Sequence, residues 1–201
     1  AQVYVTARRQ APLDMAVKEI GHGAIGVQGD VADAASLDLL YQRITRDHGR
    51  IDVLFANAGI SESAPLDEID DAHIDRVFNV NVKGTIFTVQ KALPLMSAGG
   101  SVILTGSVAG SKGIASLSVY SATKAWVLNF TRGLQEEFAE TGIRIQAVLP
   151  AATATEIWGH SSITLDMLPE GSVMTTEDLV DAALVGWDRG EAVTIPPVEN
   201  L

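Results

Sequence analysis

The chain alternates between short β-rich runs and longer amphipathic stretches along its whole length. The β-rich runs predict strands over 3–6, 24–28, 52–56, 101–105, 143–149 and 192–195. Apolar residues at helical spacing predict helices over 12–20, 34–48, 66–79, 80–96, 118–140 and 176–188, of which 66–79 and 80–96 could merge. Parallel strands need crossover connections, which are usually helices. The alternation therefore predicts one α/β domain over residues 1–201, a doubly wound parallel sheet with helices on both faces.

Local signals mark the ends of two of these helices. Asp33 directly precedes the helix over 34–48 and is a candidate N-cap, and Gly49 is a candidate stop. Gly142 is expected to end the long helix over 118–140.

Composition excludes several classes of function. The net charge of −11 disfavours non-specific binding to nucleic acid or to an anionic membrane. The absence of cysteine excludes disulfides and thiolate metal sites and fits a reducing compartment, so we expect a cytoplasmic protein without membrane contact. The four histidines are scattered without ligand spacing, so no metal site is predicted and surface or capping positions are expected for them.

Tyr120 and Lys124 are the first candidates for chemistry. They are four residues apart in a predicted helix, so both project from the same helical face. A free tyrosine titrates near pH ~10, and a cation ~4 Å away at an effective dielectric of ~20 favours the tyrosinate by up to ~4 kcal/mol. The lysine is therefore expected to bring the pKa of Tyr120 towards ~7, where the phenol can transfer protons.

Notable residues follow four of the predicted strands. Asp30 follows the second, Asn57-Ala58-Gly59 the third, Ser107 the fourth and Pro150 the fifth. In open parallel sheets the carboxyl ends of the strands share one edge, and ligands bind there. Tyr120 and Lys124 lie in the first turns of the helix after Ser107, so a single binding edge is predicted.

In this order the motifs resemble the short-chain dehydrogenase/reductase family, which is built on a single Rossmann-type domain. The resemblance covers nearly the whole chain. Its parts are Ala56-Asn57-Ala58-Gly59, Asn79-Val80-Asn81-Val82-Lys83-Gly84, Gly106-Ser107, Tyr120-x-x-x-Lys124 and Pro150-Ala151-Ala152-Thr153-Ala154-Thr155. Each part alone is weak; the order, with Ser107 thirteen residues before Tyr120, is specific.

The resemblance implies four catalytic residues. Tyr120 would be the general acid/base during hydride transfer, and Ser107 would orient and polarise the substrate carbonyl. Lys124 would lower the pKa of Tyr120 and bind the nicotinamide ribose. Asn81 would hold a water molecule that links Lys124 to solvent.

The resemblance also implies a set of cofactor-binding positions. Asp30 would bind the adenine amino group, Asn57, Ala58 and Gly59 would line the adenosine side, and Thr155 would bind the carboxamide. Pro150 stands where the family has Pro-Gly, with Ala151 replacing the glycine. Structural readings stay open for three of these positions: Asn57 as a tie between strands, Asp30 as a helix cap, and Thr155 as an ordinary loop residue.

The choice of dinucleotide depends on the residues after the first predicted strand. An acid there would bind the ribose 2′-hydroxyl, whereas an arginine accommodates a 2′-phosphate. Ala7 occupies the acid's place and Arg8 and Arg9 follow it. We therefore expect NADP(H) to be favoured over NAD(H), with Arg8 at the phosphate.

The sequence departs from the family pattern at its ends. It starts at what resembles the family's second strand, and neither the first strand nor a glycine-rich phosphate loop is present, so we expect a chain truncated at both ends. Such a chain alone is expected to bind dinucleotide poorly.

Residues 151–175 resemble the family's variable substrate loop. Their apolar content (Ile157, Trp158, Leu165, Met167, Leu168 and Met174) indicates a largely apolar substrate, or a loop buried against the core. Related enzymes pair their long helices, so a homodimer or homotetramer through 66–96 and 118–140 is expected.

The leading hypothesis is an NADP(H)-linked alcohol dehydrogenase or carbonyl reductase acting on a small molecule. The alternative is a non-catalytic member that keeps the fold as a binding or assembly module. A sugar-nucleotide epimerase is disfavoured by Asn57-Ala58-Gly59 and by the short C-terminal part.

Overall fold

The elements alternate as the sequence predicts. The computed structural model describes residues 1–160 and 164–198. The strands are β1 (Tyr4–Ala7), β2 (Ile25–Gln28), β3 (Val53–Ala56), β4 (Ser101–Thr105), β5 (Arg144–Val148), β6 (Ala152–Thr153), β7 (Val173–Met174) and β8 (Val193–Thr194). The helices are α1 (Gln10–Ile20), α2 (Ala34–Asp47), α3 (Asp71–Phe78), α4 (Thr85–Ala92), α5 (Ser118–Glu137) and α6 (Thr176–Asp188).

All strand pairs in the described residues are parallel. β1 pairs with β2, and β3, β4, β5 and β8 form a four-stranded sheet in that order. The short strands β6 and β7, which sequence patterns did not predict, pair with each other at the base of the 151–175 segment. The β1–β2 pair and the four-stranded sheet are thus two separate hydrogen-bonded groups.

Helices cover both faces of these sheets. At β2, Gly26 faces Leu13 and Val17 of α1, whereas Val27 packs into the cluster formed by α2. At β5, Ile145 packs against α5, and the next residue, Gln146, donates to the Ala183 oxygen of α6 at 3.3 Å. Successive strand residues point to opposite faces, so this alternation places helices on both sides and confirms the predicted fold class.

Local sequence signals predict the cap of α2 and the glycine that follows it, but not the end of α5. Asp33 caps α2, its carboxylate accepting from the backbone N–H groups of Ala35 and Ser36, and Gly49 follows the helix with a φ of 69°. The prediction that α5 continues to residue 140 is wrong. The helix ends at Glu137, and turns carry the chain to Gly142, where Thr141 N–H bonds to the Phe138 oxygen at 3.0 Å.

The two predicted helices over 66–79 and 80–96 do merge, through a wider turn. A π-helical turn, Asn79–Gly84, joins α3 directly to α4. Such turns are rare and frequently lie at functional sites. The turn places Asn81, which is 1% exposed, in the interior beside α5.

One histidine departs from the expected surface position. His73 in α3 is buried, with its Nδ1 3.6 Å from the Glu62 carboxylate, which also pairs with Arg76 at 2.9 Å. Its place on the inward side of α3 explains the error, because the sequence shows only an isolated polar residue there.

No helix within residues 1–160 and 164–198 combines the length and apolarity that crossing a bilayer demands.

Candidate active site

The predicted site residues follow the carboxyl ends of parallel strands. Asn57 follows β3, Ser107 follows β4 and Pro150 follows β5; the register pairs Ala56 with Leu104 and Thr105 with Val148. These ends therefore lie side by side along one edge of the four-stranded sheet. Arg8 and Asp30 follow the neighbouring ends of β1 and β2.

Ser107 is held close to α5 by a tight backbone contact. Its hydroxyl accepts from Ala109 N–H at 3.1 Å and caps a short 3₁₀ turn, Val108–Gly110. A Cβ at Gly110 would lie 2.6 Å from both the Ala125 nitrogen and the Lys124 carbonyl carbon, so any larger residue would push the turn away from the helix. This approach brings the Ser107 hydroxyl close enough to the Tyr120 phenol to lower its pKa.

The pKa of Tyr120 does not follow the prediction. Burial raises it above its ordinary value, and the hydrogen bond with Ser107 lowers it by less. The Lys124 ammonium lies 5.8 Å from the Tyr120 ring centroid, and burial lowers its own pKa to about 8. The expectation that Lys124 brings the Tyr120 pKa towards neutrality is therefore wrong for this structure, because burial disfavours both charged forms.

Lys124 connects α5 to the sheet edge. Its ammonium donates to the main-chain oxygen of Thr105 at 3.0 Å, and the Thr105 hydroxyl donates to the Asn57 side chain at 2.9 Å. Asn57 thus ties the ends of β3 and β4, the structural role that the sequence left open for it, while its side chain stays exposed beside Ala58.

Both side-chain donors of Asn81 are engaged with protein groups. Its Oδ1 accepts from Ile60 N–H at 2.9 Å, and its Nδ2 donates to the Ile60 oxygen at 2.9 Å and to the Thr123 hydroxyl at 3.0 Å. Both amide protons are therefore used, so the side chain has no donor left for the predicted water. A Cβ at Gly59 would lie 3.3 Å from Lys124 Nζ and 3.4 Å from Asn81 Oδ1, which puts all three residues together.

The remaining predicted positions lie outside the group formed by Ser107, Tyr120 and Lys124. Asp30 accepts from Ala32 N–H at 2.9 Å; because Asp33 caps α2, the capping alternative for Asp30 is wrong. Pro150 is buried and its oxygen accepts from Val108 N–H at 3.0 Å. Arg8 and Thr155 are exposed. Within residues 1–160 and 164–198, no hydrogen bond joins Arg8, Asp30 or Thr155 to Ser107, Tyr120 or Lys124.

Sequence reasoning missed three residues that build this site. Thr105 bridges Lys124 and Asn57, Thr123 bridges Asn81 and α5, and Gly110 sets the approach of the Ser107 turn. Thr123 could have been noticed as a polar, β-branched residue between Tyr120 and Lys124 in a helix. Nothing in the sequence indicates the partners of Thr105 or the contact at Gly110.

The arrangement can transfer a proton to an oxygen atom that it also polarises. A phenol and a hydroxyl are neighbours at the sheet edge, and a buried amine lies on the same helix as the phenol. Groups that could hold part of a dinucleotide lie along this edge: Arg8 supplies an exposed cation, Asn57 and Ala58 supply exposed loop surface, and Lys124 supplies an amine near the acid.

Comparison with known proteins agrees with this geometry. Residues 1–165 match the family model described as short chain dehydrogenase. Oxidoreductase asL5 of Sarocladium schorii is 45% identical over 159 residues, which are 78% of this chain and 64% of that protein. The chain thus spans less than two thirds of that relative's length.

Two solved structures share the fold and about a third of the sequence. A short-chain dehydrogenase from Sphingobium yanoikuyae in complex with NADPH superposes with a TM-score of 0.85 at 36% identity, covering 98% of this chain and 79% of that one. A bulky-bulky ketone specific alcohol dehydrogenase from Comamonas testosteroni gives 0.82 at 31% identity, covering 98% and 77%. The chain belongs to the short-chain dehydrogenase family of oxidoreductases.

Proposed function

We propose that the chain is the catalytic part of an NADP(H)-dependent oxidoreductase that interconverts a ketone and a secondary alcohol. The observation that carries this proposal is the grouping of three side chains at the carboxyl edge of the sheet. The Ser107 hydroxyl lies close enough to the Tyr120 phenol to lower its pKa, and Lys124 is buried on the same helix, bonded to the Thr105 oxygen at 3.0 Å. Family membership supports the reaction class, and the proton-transfer groups support the carbonyl/alcohol chemistry.

In the direction of reduction, the Tyr120 phenol donates its proton to the substrate oxygen while Ser107 donates a hydrogen bond to the same atom. When bound, the nicotinamide supplies or accepts the hydride. The phenol is protonated at neutral pH, which is the form that a general acid needs, while the burial that raises its pKa makes it a weaker acid than a free tyrosine. Ser107 keeps the oxygen within reach of Tyr120 and stabilises the charge that develops on it.

Lys124 and Asn81 assist the general acid Tyr120 by binding the cofactor and by relaying protons. Lys124 would hold the nicotinamide ribose, exchanging or sharing its present bond to the Thr105 oxygen. The Asn81 side chain fixes the loop at Ile60, and its main-chain oxygen, which accepts from Thr85 Oγ1 at 2.8 Å, lies in the π-helical turn beside α5. A proton relay through Asn81 would therefore use this main-chain oxygen rather than the amide.

Preference for NADP(H) is proposed on two grounds. Arg9 is paired with Glu156 at 3.4 Å, whereas the Arg8 guanidinium forms no ion pair with any residue in 1–160 or 164–198 and remains available for a 2′-phosphate. The Sphingobium yanoikuyae relative was solved with NADPH. Asp30 would bind the adenine and Thr155 the carboxamide.

The substrate is proposed to be a largely apolar small molecule. The 151–175 segment presents Ile157 and Trp158 half-buried and Met167 exposed, while Met174 is buried where β7 pairs with β6. The Comamonas testosteroni relative is described as specific for bulky ketones.

Self-association through helices within 66–96 and 118–140 is proposed as well, since Phe78 of α3 is 41% exposed.

The decisive experiment measures ketone-dependent oxidation of NADPH by the full-length protein and by Tyr120→Phe. Loss of the general acid is expected to lower kcat by roughly 10²- to 10⁴-fold. Tyr41→Phe is the matched control, because it removes another buried phenol whose hydroxyl donates to the Thr88 oxygen at 2.6 Å, far along the chain from the site.

Two outcomes would count against this proposal. Equal turnover in Tyr120→Phe and wild type would remove Tyr120 from the chemistry. Tight NADPH binding without turnover of any ketone or alcohol would favour the alternative, a binding or assembly module of the same fold.

A further inference from the structure

The Thr123 side chain lies fully buried between the proton-transfer helix and the π-helical turn. Its hydroxyl donates to the main-chain oxygen of Tyr120 at 2.7 Å and accepts from Asn81 Nδ2 at 3.0 Å. Both Thr123 (0%) and Asn81 (1%) are inaccessible to solvent, so water cannot replace either bond. A hydroxyl has one proton to donate, and here it goes to Tyr120 while a lone pair accepts from Asn81.

These bonds form a continuous link across three segments. Ile60, directly after the Asn57–Gly59 loop, holds the Asn81 amide through two bonds of 2.9 Å. Asn81 holds Thr123, and Thr123 holds the backbone at Tyr120. The loop at the cofactor edge, the π-helical turn and the first turns of α5 are thus connected at a single hydroxyl.

We infer that Thr123 is a positioning residue that fixes the rotation and depth of α5, and thereby the aim of Tyr120 at Ser107 and of Lys124 at the cofactor edge. Among the described residues, the hydrogen bonds of the Thr123 hydroxyl reach only Asn81 and the Tyr120 main chain, so its effect on the site passes through these two partners. The expected effect on kcat rests on the proposed function, whereas the hydrogen-bonded link from Thr123 to the 57–62 loop does not.

A purely local role predicts something different. Threonines inside helices commonly bond back to a preceding carbonyl without any link elsewhere. Thr131, two turns further along α5, is such a case: it is 0% exposed and donates to the Val127 oxygen at 2.8 Å. It therefore offers a control with the same chemistry, burial and helix but without the link to Asn81.

The test compares Thr123→Val, Thr123→Ser and Thr131→Val in the full-length protein. Hydrogen–deuterium exchange in the 57–62 loop reports the link without any cofactor, because Ile60 N–H is bonded to Asn81. Thr123→Val is expected to speed exchange there about tenfold and to lower kcat by about tenfold or more, with KM for NADPH within about threefold. Thr123→Ser should restore both, and Thr131→Val should change neither while lowering the unfolding midpoint comparably.

The inference is overturned if Thr123→Val and Thr131→Val match in loop exchange and in kcat. Should Thr123→Val not fold, Thr123→Cys takes its place under the same criteria, since it keeps a similar volume and weakens both hydrogen bonds. If wild type shows no turnover, the proposed function fails, but faster loop exchange in Thr123→Val alone still supports the link, and unchanged exchange still refutes it.

Discussion

The Lys124 ammonium is bonded to the main-chain oxygen of Thr105 at 3.0 Å, which places a buried cation against the end of the central strand β4. The bond fixes the amine between α5 and the sheet, next to Gly59 and Asn81. One neutral acceptor compensates only part of the cost of removing this charge from water, which is why burial lowers the Lys124 pKa to about 8.

Lys124 should therefore make stability depend on pH in the alkaline range. Its folded pKa of about 8 lies below the ordinary lysine value of 10.5, so between these values the unfolded chain binds more protons and stability rises with pH. The difference in unfolding free energy between wild type and Lys124→Met is expected to be flat below about pH 8. It should then rise in favour of wild type, on the order of 3 kcal/mol in total, up to about pH 10.5.

Urea unfolding of both proteins across this pH range measures the difference, and groups common to both cancel. A difference that stays level between pH 8 and 10.5 would show that the amine is not buried as described.

Gly110→Ala is expected to damage both stability and activity. The added Cβ would meet backbone atoms of Lys124 and Ala125 at 2.6 Å, and backbone cannot move aside as a side-chain tip can. Forced separation of the Ser107 turn from α5 should cost about 1–3 kcal/mol, a typical penalty for overpacking, and should lower kcat by moving Ser107 away from Tyr120.

Gly113→Ala is the matched control, because a Cβ there meets no atom within 4 Å. It should leave the unfolding free energy within about 0.5 kcal/mol of wild type and leave kcat unchanged. Equal effects of the two substitutions would contradict the close contact at Gly110.

Arg8→Ser is expected to shift the preference between the dinucleotides. An arginine binds a phosphate through strong, charge-assisted hydrogen bonds, so its loss should raise KM for NADPH about tenfold or more and leave KM for NADH nearly unchanged. Arg9→Ser is the comparison, since Arg9 is paired with Glu156. Steady-state kinetics with both cofactors give the ratio; a larger loss of NADPH selectivity in Arg9→Ser would transfer the phosphate-binding role to Arg9.

Local patterns predicted most of the fold. The limits of β4 and α6 match the predicted ranges, and Asp33 caps α2 as expected, because strand runs, helical spacing and capping residues act over a few neighbouring positions. The carboxyl-edge rule brought Asn57, Ser107, Tyr120 and Lys124 to one place for the same reason: it needs only the order of the elements.

What could not be predicted depends on tertiary distances. The Tyr120 pKa was misjudged because the sequence shows the lysine spacing but not the burial that outweighs it. Thr123 and Gly110 were missed because their partners, Asn81 and the Lys124–Ala125 backbone, become neighbours only when α5 packs on the π-helical turn and on the Ser107 turn.

Gly84→Ala tests whether the π-helical turn controls cofactor binding near Asp30. A Cβ at Gly84 would lie 2.9 Å from Val31 Cγ2 and 3.2 Å from the Val31 oxygen, so the loop that follows Asp30 must move. We expect a loss of about 1–3 kcal/mol in unfolding free energy and a higher KM for the dinucleotide, with a smaller change in kcat.

Gly133→Ala is the control, at an exposed position of α5 where a Cβ meets nothing within 4 Å. It should instead stabilise the protein by about 0.5–1 kcal/mol. Urea unfolding and cofactor titration of the two variants test this, and an unchanged dinucleotide KM in a destabilised Gly84→Ala protein would separate Val31 from the cofactor site.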